Sequence, residues 1–275
     1  MPNRLAVRPQ SYLQILKHSI DIYRHSFRHV FWVALLISVI VFIPRLIVTF
    51  IDPNYFNNIA VLSPDKLWFF LIEILSAFFF IVLLWRMYSV LVGVNDKVRE
   101  DLQIAFKKIW LIIAAALLQF AIFMLTALII YFFYYYFFQG LFATNNSSYA
   151  TIALTGLSLY VFIEVYLIFL FIFYLLLIVI ENKGIIAALK KSAQLVWGNW
   201  WQNFWILMTP LLCYMIFLMI VRYIFRIDLP IYFIDSSPSS KIIPILYMLL
   251  FSLFLPWNAA ILIVQMQDLE LRKKL

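Results

Sequence analysis

Five ionisable residues lie inside long apolar runs, where a charge is costly unless it is paired or hydrated: Arg45, Glu73, Arg86, Glu164 and Arg222. In such surroundings these residue types form ion pairs, relay protons or touch a ligand. Arg45 and Glu73 each stand about six residues from one end of their runs, roughly 9 Å along a helix. That equal depth allows an ion pair within one hairpin, which either pins the hairpin or lines an outward-facing polar cavity. Arg86 and Arg222 are near enough to run ends for their guanidinium groups to reach the headgroups. Glu164 is deeper and no cation shares its depth. It is expected to hydrogen-bond Gln119 or a tyrosine, or to face a wet cavity, and structural and functional roles are both open to it. Asn258 completes the set of intramembrane polar candidates, because the neighbouring Pro256 frees a backbone carbonyl beside its amide, a device that transporters use to bind ions.

Other chemistry is thinner. His18, His25 and His29 fall on one side of a helical wheel, but Asp21 is the only nearby carboxylate, so a basic interfacial helix explains them better than a metal site. Cys213 is mid-run among apolar neighbours and is expected to pack. No nucleophile elbow, zincin or P-loop pattern occurs. The expectation is therefore no catalytic set, no cofactor and no metal.

The elements that must hold these residues follow from composition. Of 275 residues, 66% are hydrophobic, 19% aromatic and 12% charged, with a mean hydropathy of +0.98. Soluble domains are about 45–50% apolar and about 25% charged, so a soluble enzyme is excluded, and one cysteine excludes a disulfide scaffold. A bilayer core needs about 20 apolar residues in a helix. Six runs satisfy this: Val30 to Ile51, Leu67 to Val92, Ile109 to Phe138, Ala150 to Ile180, Trp200 to Phe225 and Ile242 to Met266. Of the 21 Lys and Arg, fifteen fall before run 1, between runs 2 and 3, between 4 and 5, and after 6, against three in the opposite loops. Basic loops stay inside, which places both termini in the cytoplasm of a bacterial inner membrane. The net charge of +8 then answers anionic headgroups and leaves no case for nucleic acid. The first thirty residues lack the form of a cleavable signal peptide.

Before runs 1, 3 and 5 lie stretches that are polar yet periodic. In the first, Leu13, Leu16, Ile20, Tyr23 and Phe27 recur at helical spacing against Lys17, Asp21, Arg24 and Arg28. In the second, Val98, Leu102, Ala105 and Ile109 stand against Lys107 and Lys108. In the third, Ile185, Leu189, Val196 and Trp200 stand against Lys190 and Lys191. The three align on Ile15-Leu16-Lys17-His18, Ala105-Phe106-Lys107-Lys108 and Ala188-Leu189-Lys190-Lys191, which suggests a threefold repeat over 12–92, 98–180 and 185–266 within a single membrane domain, 1–275. The expected fold is all-α: a six-span bundle with three interfacial helices on the cytoplasmic side. Lys17, Arg24, Arg28, Lys107, Lys108, Lys190 and Lys191 are its expected headgroup contacts.

The third unit carries the most distinctive sequence. Glu181-Asn182-Lys183-Gly184 follows run 4, then come Ala188-Leu189-Lys190-Lys191-Ser192, Gly198 and the pair Trp200-Trp201. This resembles a bacterial six-span family that includes the membrane domain of glycerophosphodiester phosphodiesterases and the YciC-like inner-membrane proteins. Phosphodiesterase chemistry in that family belongs to a separate soluble barrel, so the resemblance implies a membrane module without inherited catalysis. The leading functional expectation is a non-enzymatic protein of membrane organisation or homeostasis, or a partner module with a protein partner or a second copy of itself. The alternative is a small-molecule or lipid transporter with a cavity near Glu164 and the kinked sixth span.

Overall fold

In the computed structural model, which describes residues 8–51, 67–94, 98–138, 148–225 and 243–274, every regular element among the described residues is an α-helix. In chain order they are α1 (Tyr12–Ile51), α2 (Leu67–Val92), α3 (Val98–Phe138), α4 (Ser148–Phe171), α5 (Tyr174–Val179), α6 (Ile185–Val196), α7 (Trp200–Phe225) and α8 (Ile243–Lys274). Among the described residues, six helical stretches are long and apolar enough to cross a membrane. The bounds of α2 and α7 agree with the expected runs.

The expected interfacial helices before runs 1 and 3 are not separate elements. Each continues unbroken into its apolar run, as the first turns of α1 and α3. Neither junction, Arg28-His29-Val30-Phe31 nor Lys107-Lys108-Ile109-Trp110, contains a glycine or proline to interrupt the hydrogen-bond ladder. The third stretch is a separate helix, α6, because Gly198 at φ +87° turns the chain before α7. A left-handed residue suits glycine at a helix end. Gly93 at φ +82° ends α2 in the same way, with the Val94 N–H donating back to the Ser89 carbonyl at 2.9 Å.

The buried face of α1 is also rotated from the expected one. Leu13 is 66% exposed, while Ile15, Ser19, Ile22, Ser26 and Val30 are buried. Hydropathy misplaces this seam because it contains serines. Each hydroxyl donates to its own helix, Ser19 to the Leu16 carbonyl, Ser26 to Ile22 and Ser38 to Ala34. So satisfied, a small polar residue lets two helices approach closely. On α3 the expected face holds in part: Ala105 and Ile109 are buried, but Val98 is 55% exposed and Asp101 is buried instead.

The chain divides into two compact units, one formed by Met1–Ile109 with Phe204–Leu275 and the other by Trp110–Asn203. In the first, α1 packs along α8 and α2. Asp268 ties α8 to the residues before α1: the Gln10 N–H donates to Oδ1 at 2.6 Å, Arg272 Nε donates to Oδ2 at 2.6 Å, and Arg272 Nη2 reaches the Gln10 carbonyl. Nearby, Trp257 Nε1 donates to Ser19 Oγ at 3.1 Å. In the second unit α6 packs against α4 and α5.

Candidate functional site

Arg86 does not extend freely to the headgroups as expected. Its Nη1 lies 2.6 Å from Asp101 Oδ2, and its Nε donates to the His29 carbonyl at 3.0 Å. The Asp101 side chain is fully buried. One guanidinium thus joins α1, α2 and the start of α3. The acid was hidden in the sequence, because Asp101 in a first helical turn reads as a favourable charge at a helix N-terminus.

Glu164, on α4, meets neither Gln119 nor a tyrosine through a described hydrogen bond. Its partner is Thr126 of α3, whose Oγ1 is 2.8 Å from Glu164 Oε1 and also 2.8 Å from the Phe123 carbonyl. A hydroxyl carries one proton, so it cannot donate to both acceptors at once. The arrangement is saturated when the Glu164 side supplies the second proton, as a carboxylic acid or an amide would. Both residues belong to the second unit.

The other candidates fall in the first unit. The Arg45 and Arg222 side chains lie outside the described residues, so the expected Arg45–Glu73 pair does too. Glu73 lines a cavity of about 530 Å³, together with Ser76 of α2, Phe42 of α1, Tyr214 of α7, and Tyr247 and Phe251 of α8. This described cavity is not the one expected near Glu164, although α8 just before Pro256 does form part of its wall. Asn258 Nδ2 donates to the Phe254 carbonyl at 3.3 Å, within its own helix, and α8 continues through Pro256.

The sequence from Glu181 to Trp201 folds into a compact set of backbone contacts. The apolar run expected as one helix from Ala150 to Ile180 is interrupted between α4 and α5, and the interruption releases backbone groups near Leu170 and Phe173. Ser192 of α6 serves both: its Oγ donates to the Leu170 carbonyl at 2.9 Å and accepts the Phe173 N–H at 3.1 Å. Asn182, left-handed at φ +60°, turns the chain after α5. Lys191 Nζ then grips both oxygens of Glu181, at 2.6 and 2.8 Å, and Lys183 lies 3.6 Å from the same carboxylate. Trp200 is buried, donates Nε1 to the Tyr166 carbonyl at 3.2 Å, and stacks on the Tyr166 ring.

Of the expected headgroup contacts, Lys17, Arg24, Arg28, Lys107 and Lys190 are exposed, while Lys108 and Lys191 are partly covered. His18 Nδ1 is 3.3 Å from Gln10 Oε1 and His25 Nδ1 is 3.0 Å from the Asp21 carbonyl, so these rings turn to different partners. Among the described residues no group of three His, Cys, Asp or Glu could hold a metal ion. No family model, no curated protein and no solved structure matches the chain.

Proposed function

We propose that this chain is a non-enzymatic, polytopic protein of a bacterial inner membrane that organises the bilayer around it, holding anionic lipids at its cytoplasmic rim. The observation that carries this reading is the two-sidedness of three helical segments. Lys17, Arg24 and Arg28 of α1, Lys107 of α3 and Lys190 of α6 are exposed, while Ile15, Ala105 and Ala188 on the same segments are fully buried. Each segment is thereby held by packing and presents its cations outward, where one Lys or Arg near an anionic surface is worth about 1 kcal/mol. The family resemblance at Glu181 to Trp201 and the threefold alignment support the same reading: three equivalent segments would each offer a basic face to the inner headgroups. A membrane module that works beside a protein partner or a second copy of itself would use the same surface.

The test is purification into nanodiscs followed by native mass spectrometry of bound lipid. Anionic lipid should be retained over zwitterionic lipid, and joint replacement of Lys17, Arg24 and Arg28 by Gln should remove that preference without loss of fold. Equal retention of the two lipid classes would overturn the reading. Orientation is tested separately, on a Cys213-free background: an impermeant thiol reagent should label cysteines placed at 63, 146 and 237 in intact cells and leave position 191 untouched. A transporter is the second reading, favoured by the cavity beside Glu73.

A further inference from the structure

We propose that α3 and α7 each present a face to lipid, and that the tryptophans and tyrosines bracketing those faces seat the protein in a bilayer whose hydrocarbon core is about 30 Å thick. The inference rests on the polytopic part of the reading above and uses neither the basic rim nor the orientation.

α3 has 41 residues, roughly 62 Å of helix, about twice what a bilayer core needs, so its length does not say which part lies in lipid. Its exposed surface does. Trp110 and Tyr131 are both more than half exposed, and every exposed residue between them, from Ala116 to Ile129, is apolar. The polar residues of that interval, Gln119 and Thr126, fall on the partly covered side. α7 repeats the pattern. Trp201 and Tyr223 are more than half exposed, and the exposed residues between them are apolar or aromatic without exception.

Indole and phenol rings are apolar bodies with one polar atom, and they settle where hydrocarbon meets headgroups. From Trp110 to Tyr131 is 21 residues, about 32 Å along the helix axis, and from Trp201 to Tyr223 is 22 residues, about 33 Å. The usual tilt of about 20° brings both close to 30 Å. Trp205, one turn inside Trp201, is exposed as well, and its 18 residues to Tyr223, about 27 Å, bound the same thickness from below. Neighbouring rings hold the bands in place: Trp201 lies edge-on to Trp200 at 4.8 Å between centroids, and Tyr131 stacks on Tyr135 at 6.2 Å. A protein partner has no reason to meet aromatic bands at one interval on two helices distant in sequence. A bilayer imposes that interval.

Two measurements on the full chain test this. In the first, the wild type is reconstituted in zwitterionic phosphatidylcholines alone, with acyl chains from about 14 to about 22 carbons, so that a failure of the anionic-lipid reading leaves the result untouched. The melting temperature should be highest where the hydrocarbon core is about 30 Å and fall in thinner and thicker bilayers. Joint replacement of Trp110, Tyr131, Trp201 and Tyr223 by Leu should flatten that maximum, because an aliphatic side chain has no preferred depth at the interface. In the second, single nitroxides are placed on a Cys213-free background at the band positions 110, 131, 201 and 223 and at the midpoints 120 and 212. Collisions with oxygen, relative to those with a water-soluble nickel chelate, should be severalfold more frequent at 120 and 212 than at the four band positions. A melting temperature independent of thickness overturns the proposal, and so does a maximum that survives the fourfold replacement. Chelate reaching 120 or 212 overturns it too, and exclusion of both colliders there would show a second copy or another protein on the face instead of lipid. Should the fourfold variant fail to fold, the wild-type thickness series and the nitroxides still decide.

Discussion

Two carboxyl groups that meet α3 have opposite surroundings. Asp101, in the first turn of that helix, is fully buried and bound to a guanidinium that also holds the His29 carbonyl. Glu164 approaches the same helix far along its apolar run, is only partly buried, and meets the hydroxyl of Thr126. Near the polar start of α3 an acid can be sealed away because Arg86 is at hand. Within an apolar run a hydroxyl completes the hydrogen bonding without adding a second charge. Burial and pairing thus go together, and an acid's position along the helix decides which partner it has.

The sharpest way to break that comparison is to remove the acid. Asp101→Ala leaves Arg86 with an unpaired charge between three helices, and the expected loss is about 3–5 kcal/mol of stability, read as a large drop in melting temperature in nanodiscs. A melting temperature near that of the wild type would mean that the ion pair follows from packing and does not hold it.

A smaller effect is expected at Ser192, which treats neutral backbone groups as Arg86 treats a charge. Ser192→Ala strands the Phe173 N–H and the Leu170 carbonyl in a buried place, at a cost of about 1–3 kcal/mol. Hydrogen exchange at the break between α4 and α5 should quicken, while exchange along α8 should stay unchanged. Uniform quickening would show that the hydroxyl serves the whole fold and not this break.

Glu164→Gln sharpens the comparison from the other side. The amide can donate to Thr126 while Thr126 donates to the Phe123 carbonyl, so the change should cost no more than about 1 kcal/mol. A variant that aggregates, or melts several degrees lower, would reveal a buried cation for Glu164 and put it in the same class as Asp101. The smallest effect is expected at Tyr12. Thr209 Oγ1 donates to the Trp205 carbonyl, so the Tyr12 phenol must be the donor in their 2.7 Å contact. That contact is exposed, and Tyr12→Phe should change stability by no more than about 0.5 kcal/mol.

Helix class, the number of long apolar helices among the described residues and the bounds of α2 and α7 were legible in the residues, because an apolar run long enough to cross a bilayer has few other ways to satisfy its backbone. Which face is buried was legible at α6, where Leu189 and Val196 are buried as expected, but not along α1. Hydropathy ranks serine and aspartate as surface residues, and Ser19, Ser26 and Asp101 enter the core because their polar atoms find partners there. The candidate site divides along the same line. Residue type and depth singled out Glu73 and Glu164, since a carboxylate in an apolar run stands out by itself. The partner of Glu164 and the cavity beside Glu73 arise only when helices distant in sequence are packed together, and periodicity within one helix carries no information about its neighbours.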